Sequence, residues 1–155
     1  MRRWGRWTVA AGILLLLGAQ LVPVERSNPP VRSEIDAPGD VAPILRKACY
    51  NCHSNETDWP WYAHVAPVSW YVTDHVHQGR EDLNFSRWPS DYDEATDLIS
   101  EIGEQVESGA MPPDSYQLMH PEARLSQEER QRLIDWSLAE GSLDRLQEQL
   151  DPGAY

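Results

Sequence analysis

The sequence predicts an all-α fold, and three observations support that prediction. Apolar residues recur at helical spacing in the segments 95–106 and 133–138, and capping signals precede both segments. No alternating apolar and polar run is long enough to suggest a strand. We therefore expect a small helical domain that is preceded by an N-terminal hydrophobic helix.

Length and charge limit the classes of protein to consider. The chain has 155 residues and a net charge of −12, which fits one domain with an appendage. A protein this acidic lacks the basic surface that nucleic acid requires, so we expect no nucleic-acid partner. Three arginines, at positions 2, 3 and 6, precede the first acidic residue, Glu25. A basic leader before an acidic body is typical of an exported domain.

The leader, residues 1–24, is predicted to be a signal or anchor segment. Residues 4–24 form an apolar stretch that as a helix would rise about 31 Å, enough to cross the hydrocarbon core of the inner membrane. Trp4 and Trp7 suit the membrane interface. An uncleaved anchor is favoured because the cleavage site is poor, and a cleaved signal stays open. Either alternative places the body in the periplasm.

The body is predicted to begin after a Pro-rich linker, residues 25–39, and to span residues 40–150. Asp40 is a candidate cap for a helix that continues into Cys49–Cys52. An aromatic loop follows over residues 59–67. Three valines spaced by four residues, at 68, 72 and 76, then predict a short helix that Gly79 ends.

Two further helices have clearer signals. Ser90 or Asp91 begins one that Gly109 ends, and its acidic residues are interpreted as a solvated face rather than a metal site. Ser126 and Glu129 form a capping box for the last helix. Its predicted core pairs are Leu133 with Trp136 and Ile134 with Leu138; Gly141 is expected to interrupt it before an amphipathic tail, 143–150.

The segment with the most informative candidate site residues is Cys49-Tyr50-Asn51-Cys52-His53, which is a C-x-x-C-H motif. This is the attachment signature of a c-type haem. Two thiols one helical turn apart can add to two vinyl groups on one edge of a porphyrin, and His53 then lies under the iron as an axial ligand. A dithiol redox pair, a zinc site and a structural disulfide are the alternatives. They fit less well, because no βαβ pattern or further ligand pair accompanies the motif and a disulfide leaves His53 unexplained.

The second axial ligand is predicted to be Met111. It lies in Gly109-Ala110-Met111-Pro112-Pro113, a loop that two prolines stiffen between two predicted helices. A core gap-filling role is its alternative. Other candidates for the sixth ligand stay open, and they are Met119, His120, His64, His75 and His77. Five aromatic residues are candidates for the wall of the pocket or the core, and they are Trp59, Trp61, Tyr62, Trp70 and Tyr116.

The order of these blocks resembles a known family. Cys49–His53, Trp59–Tyr62, Ala66–Trp70, Leu83–Ser86 and Met111–Pro113 through Ser126 are similar to a bacterial haem-binding domain family, which is class I-like among c-type cytochromes. The resemblance covers about residues 22–140. It implies one covalent haem c on Cys49 and Cys52, with His53 as one axial ligand and Met111 as the other.

Three functions follow as hypotheses. The favoured one is a periplasmic mono-haem electron carrier that is not an enzyme, since two protein ligands leave the iron no substrate position. Its redox partners would present basic docking faces to the acidic body. A peroxidase-like enzyme and a haem-based gas or redox sensor are the alternatives, and both require a labile sixth position.

Overall fold

The described residues form an all-helical domain. The computed structural model describes the backbone of residues 2–150 and the side chains of residues 5–142. The helices are α1 (Arg2–Ala19), α2 (Ala42–Ala48), α3 (Tyr50–His53), α4 (Val68–Asp82), α5 (Tyr92–Glu107), α6 (Asp114–Met119) and α7 (Gln127–Leu150). Two 3-10 turns, Trp61–His64 and Pro121–Ala123, complete the helical elements. Within these residues the backbone forms no strand, only an isolated parallel bridge between Ser33 and Arg87.

The core lies where α5 and α7 pack against α2, α3 and the segment after α4. Its buried members are Val41, Ile44, Leu45, Tyr50, Phe85, Ile99, Ile102, Val106, Leu133 and Trp136. A Cβ at Gly103 of α5 would lie 1.9 Å from Ser137 Oγ of α7, so these two helices approach closely there. The apolar residues that the sequence predicted for one face of α5 thus include the α5 residues of the core.

Local signals for α5 and α7 are confirmed. The Asp91 side chain accepts a hydrogen bond from the Glu94 amide, and Gly109 adopts a φ of 77° just after α5. The Glu129 amide donates to Ser126 Oγ at 3.1 Å, and the Ser126 amide donates to Glu129 Oε2 at 2.9 Å. This is the reciprocal capping box that the sequence predicted.

Four local predictions are wrong. Asp40 caps no helix, because its carboxylate instead pairs with Arg132 of α7. Gly79 does not end α4, which continues to Asp82. Gly141 does not interrupt α7, and the side chain of Leu138 is 62 % exposed rather than in the core. Helical spacing identifies an apolar face, but it does not say how much of that face a neighbour covers.

The segment before α2 is extended and bound along the body. Asn28 Nδ2 donates to the Thr57 carbonyl, and Asn55 Nδ2 donates to the Pro30 carbonyl. The Arg32 amide donates to the Ser86 carbonyl. The predicted linker therefore packs on the domain as a strap, which we define as residues 26–33.

Helix α1 precedes this strap and ends at Ala19, five residues before the end of the predicted anchor. Its side chains from Gly5 to Gly18 are exposed. None of the helices described is both long and apolar enough to cross a membrane. The interfacial position predicted for Trp4 and the amphipathic pattern predicted for 143–150 concern side chains outside the described residues.

Candidate functional site

The C-x-x-C-H motif lies at a junction between two short helices. Helix α2 ends at Ala48, Cys49 joins it to α3, and α3 carries Cys52 and His53. The amides of Cys52 and His53 both donate to the Cys49 carbonyl, at 3.1 and 2.9 Å. This single turn presents both thiols and the imidazole on one side of the motif.

A cavity of about 460 Å³ opens beside this turn. Its lining residues come from the α2–α3 junction, α4 and the segment after it, α5, the loop after α5, and α6. They are Ala48, Cys49, Cys52, His53, His75, Gln78, Gly79, Asp82, Leu83, Phe85, Leu98, Glu101, Ile102, Gln105, Val106, Met111, Pro112, Pro113 and Tyr116. The structure thus brings Cys49, Cys52, His53 and Met111 to one cavity. Its size is in the range of cofactor sites.

The imidazole of His53 is fixed by α4. Its Nδ1 lies 2.8 Å from the Gly79 carbonyl oxygen and 3.3 Å from that of Leu83. Because carbonyl oxygens only accept, Nδ1 carries the proton and Nε2 keeps a free lone pair. Burial lowers the pKa of His53, which favours the neutral imidazole that binds a metal.

Gly79 permits this contact. A Cβ there would lie 2.9 Å from the Cys52 carbonyl oxygen, so α4 crosses the motif at a distance that only glycine allows without a shift. Sequence reasoning missed Gly79 as the partner of His53. The two residues are 26 positions apart, and no local signal links them.

The two cysteines are free thiols, and both residues are half-buried. Burial raises the pKa of Cys49 to about 12 and also raises the pKa of Cys52. Reactive dithiol pairs need a lowered thiol pKa, so this environment does not fit the dithiol alternative. Within the described residues no cluster of three or more His, Cys, Asp or Glu side chains could hold a metal ion.

Met111 reaches the cavity from the loop between α5 and α6. Its amide donates to the Gln105 carbonyl at 3.1 Å, and its side chain is half-buried. Pro112 beside it is buried, and the Pro112 carbonyl accepts a hydrogen bond from Gln117 Nε2. The predicted proline-stiffened loop therefore forms part of the cavity wall.

Of the other predicted ligands, only His75 is among the described residues that line the cavity. Its Nδ1 lies 2.9 Å from the Tyr71 carbonyl oxygen, which leaves Nε2 free. His64 and Met119 are exposed. His120 has both ring nitrogens in use, with Nε2 2.6 Å from the Tyr62 hydroxyl and Nδ1 2.9 Å from Glu122 Oε1.

The five aromatic candidates, predicted for the pocket wall or the core, do not all lie there. Tyr116 lines the cavity, and its hydroxyl accepts a hydrogen bond of 2.8 Å from Asn51 Nδ2 inside the motif. Trp61 and Trp70 are exposed. Phe85, which sequence reasoning did not assign to the site, is fully buried behind His53 at 6.5 Å between ring centroids.

Comparison with known proteins matches a family model, whereas no curated protein and no solved structure matches the sequence. The family model described as the haem-binding domain matches residues 14–139, which include the motif, the cavity and Met111. That match covers well over half of the chain, so the protein belongs to the haem-binding domain family.

Proposed function

We propose that this protein is a mono-haem c-type electron carrier on the periplasmic side of the inner membrane. Thioether bonds to Cys49 and Cys52 attach the cofactor, His53 and Met111 are its axial ligands, and residues 4–24 tether the body. The observation that carries the proposal is the convergence of these four side chains on one cavity.

The cavity residues fit a covalent haem c. Two thiols lie one turn apart, and an imidazole with a free Nε2 follows them directly. Apolar side chains from α5 and the segment after α4 supply contacts for an apolar macrocycle, and they include Ile102, Val106 and Phe85. Bound there, haem would supply a one-electron iron couple.

The chain's own residues would set how that couple behaves. The Gly79 and Leu83 carbonyls hold the His53 ring in one orientation and one tautomer. A thioether ligand such as Met111 shifts a haem potential upward relative to a second histidine. Two protein ligands would leave no position for a substrate, which supports a carrier rather than an enzyme.

Charge supports a basic redox partner. The whole chain carries −12, and two of its carboxylates, Asp82 and Glu101, lie on the cavity lining. Electrostatic attraction would therefore speed encounters with a partner that presents lysines and arginines. Raising the ionic strength should slow electron exchange with such a partner.

Replacing Met111 tests the ligand assignment. Protein made in a host with haem-attachment machinery should show a low-spin spectrum with a methionine–iron(III) charge-transfer band and no response to CO. In Met111→Ala we expect the band to disappear, CO to bind and the potential to fall, while the haem stays covalent. Met119→Ala is the matched control because Met119 is exposed, and it should leave spectrum and potential unchanged.

One observation favours a second ligand set. His75 also lines the cavity with Nε2 free, so a bis-histidine site is the competing arrangement. An unchanged spectrum in Met111→Ala together with a changed one in His75→Ala would establish it. Ready CO binding by the unaltered protein would instead favour a sensor or a peroxidase-like protein. Absence of covalent haem would overturn the proposal.

A further inference from the structure

Two segments that follow the motif, one of 15 residues and one of 7, carry no Asp, Glu, Lys or Arg. They are residues 59–73 and 115–121, in a chain with 25 acidic and 13 basic residues. Two side-chain contacts bring the segments together: the Tyr62 hydroxyl lies 2.6 Å from His120 Nε2, and the Tyr71 hydroxyl lies 3.4 Å from Ser115 Oγ. We call this combined surface the uncharged face.

The uncharged face exposes large apolar side chains. Trp61 is 75 % exposed and Leu118 is 74 % exposed. Val65, Val68, Tyr71 and Met119 are also exposed. Scattered apolar residues are ordinary on a protein surface, but exposed apolar residues gathered on two contacting segments that lack charge indicate a contact surface.

The uncharged face adjoins the end of α1. The side chain of Gln20 bonds both backbone groups of Ala66: its Nε2 donates to the carbonyl at 3.1 Å, and its Oε1 accepts from the amide at 3.0 Å. Arg26 Nη1 donates to the Ala63 carbonyl at 3.2 Å. The residue that follows α1 and the first residue of the strap thus contact the segment of the uncharged face at Ala66 and Ala63.

The strap next to this junction is hydrogen-bonded to the body. Arg80 of α4 donates to the Ser27 carbonyl at 2.9 Å and to Asn28 Oδ1 at 2.9 Å. The same guanidinium donates to the Ser54 carbonyl at 2.7 Å, next to His53. Arg80 therefore connects the strap, which follows α1 in the chain, to the residue after the motif.

We propose that the uncharged face docks on the surface of the lipid bilayer that holds α1. The proposal rests on the membrane tether in the proposed function. Exposed tryptophan and tyrosine suit the interface of a bilayer. Anionic lipids repel the acidic remainder of the body, so the uncharged face is the part that can approach them. Docking there holds the cavity at one angle to the membrane.

Spin labels test the contact directly. The full-length haem protein is reconstituted into vesicles of phosphatidylethanolamine and phosphatidylglycerol, with a nitroxide on Val65→Cys, Leu118→Cys or Glu128→Cys. We expect the nitroxides at positions 65 and 118 to be more accessible to oxygen, which enters lipid, than to a water-soluble nickel complex. The ratio of the two accessibilities should be several-fold higher there than at position 128, an exposed position on α7. The parent without an added cysteine measures any label on Cys49 and Cys52.

The angle of the haem gives a second readout. In oriented multilayers of the same lipids, the unaltered protein should show linear dichroism of the haem absorption band. Changing Val65→Glu and Val68→Glu together should abolish that dichroism, while the isotropic spectrum and flotation with vesicles stay the same. Leu138→Glu is the matched control, since Leu138 is an exposed apolar residue of α7, and it should keep the dichroism.

The outcomes separate this inference from the proposed function. Nickel accessibility at 65 and 118 equal to that at 128, with flotation intact, overturns docking and leaves the tether. Spin–spin broadening of the nitroxide spectrum at position 65 or 118 would indicate contact with a second copy if it disappears when labelled protein is diluted with unlabelled protein. A second copy covering the uncharged face would also overturn docking. Protein that does not float refutes the tether and docking together. The optical spectrum reports separately whether haem is attached.

Discussion

Two walls of the cavity are held in different ways. The histidine wall, which comprises α3, α4 and residues 83–85, is fixed by hydrogen bonds that cross between elements: His53 Nδ1 to the Gly79 carbonyl, and the Phe85 amide to the His53 carbonyl at 2.8 Å. The methionine wall, residues 111–119, is a loop followed by α6, a helix with no buried residue. The first wall is anchored in the core, whereas the second is held by local turns and by side-chain contacts such as Asn51 to Tyr116.

The difference shows where this site tolerates change. Moving an element of the histidine wall would shift the thiols, the imidazole and the core together, because Phe85 and Tyr50 stack at 4.9 Å within that core. Moving the methionine wall would change mainly the distance from Met111 to the cavity. We therefore expect stability to depend on the first wall and ligand exchange to depend on the second.

The largest expected effect is at Phe85. This side chain is fully buried, and Phe85→Ala should lower the free energy of unfolding by about 3–5 kcal/mol through lost burial and a residual cavity. Denaturant unfolding of the haem-loaded protein measures it. Leu118→Ala, on α6 of the methionine wall, is the control and should change stability by less than about 0.5 kcal/mol. Equal losses of unfolding free energy in the two variants would contradict the proposed difference between the walls.

A smaller effect is expected at Gly79. The added methyl group of Gly79→Ala would lie 2.9 Å from the Cys52 carbonyl oxygen, so backbone must shift, at a cost of about 1–3 kcal/mol. The same denaturant measurement detects it. Gly39→Ala is the matched control because a Cβ there meets no atom within 4 Å. A stable Gly79→Ala with an unchanged spectrum would show that α4 does not constrain the motif.

Local chemistry made part of this structure predictable. Asp91, Gly109 and the Ser126–Glu129 box act on backbone groups within four residues, so their signals are complete in the sequence. The motif was equally clear, because its two thiols and its imidazole lie on one turn. The place of Met111 on the cavity wall was also predictable, because a methionine between a helix end and two prolines is positioned by the loop itself.

Contacts between distant residues explain what the sequence could not reveal. The carbonyl of Gly79 is an ordinary backbone group until folding sets it beside His53. Gly79 therefore resembled a helix stop, although it is a point of close approach. The strap resembled a linker because its hydrogen bonds go to residues 57, 55 and 86, far along the chain. Periodicity likewise could not show that Leu138 stays exposed.

The smallest expected effect concerns the polar contact between the walls. The Tyr116 hydroxyl accepts from Asn51 Nδ2, so Tyr116→Phe should cost about 1 kcal/mol of unfolding free energy at neutral pH. Burial raises the pKa of Tyr116 from 10 to about 12. Between these values the folded protein holds a proton that the unfolded chain has lost, so this contribution to stability falls as the pH rises through the window.

Tyr116→Phe cannot ionise and should escape that alkaline loss. The stability difference between the unaltered protein and Tyr116→Phe should therefore shrink as the pH rises above 10. Denaturant midpoints at neutral and alkaline pH measure it, with tyrosinate absorbance following ionisation directly. A difference that stays constant across that range would mean that Tyr116 ionises as freely in the folded protein as in the unfolded chain. The methionine wall would then be open to water at Tyr116, and the contrast with the buried histidine wall would be sharper still.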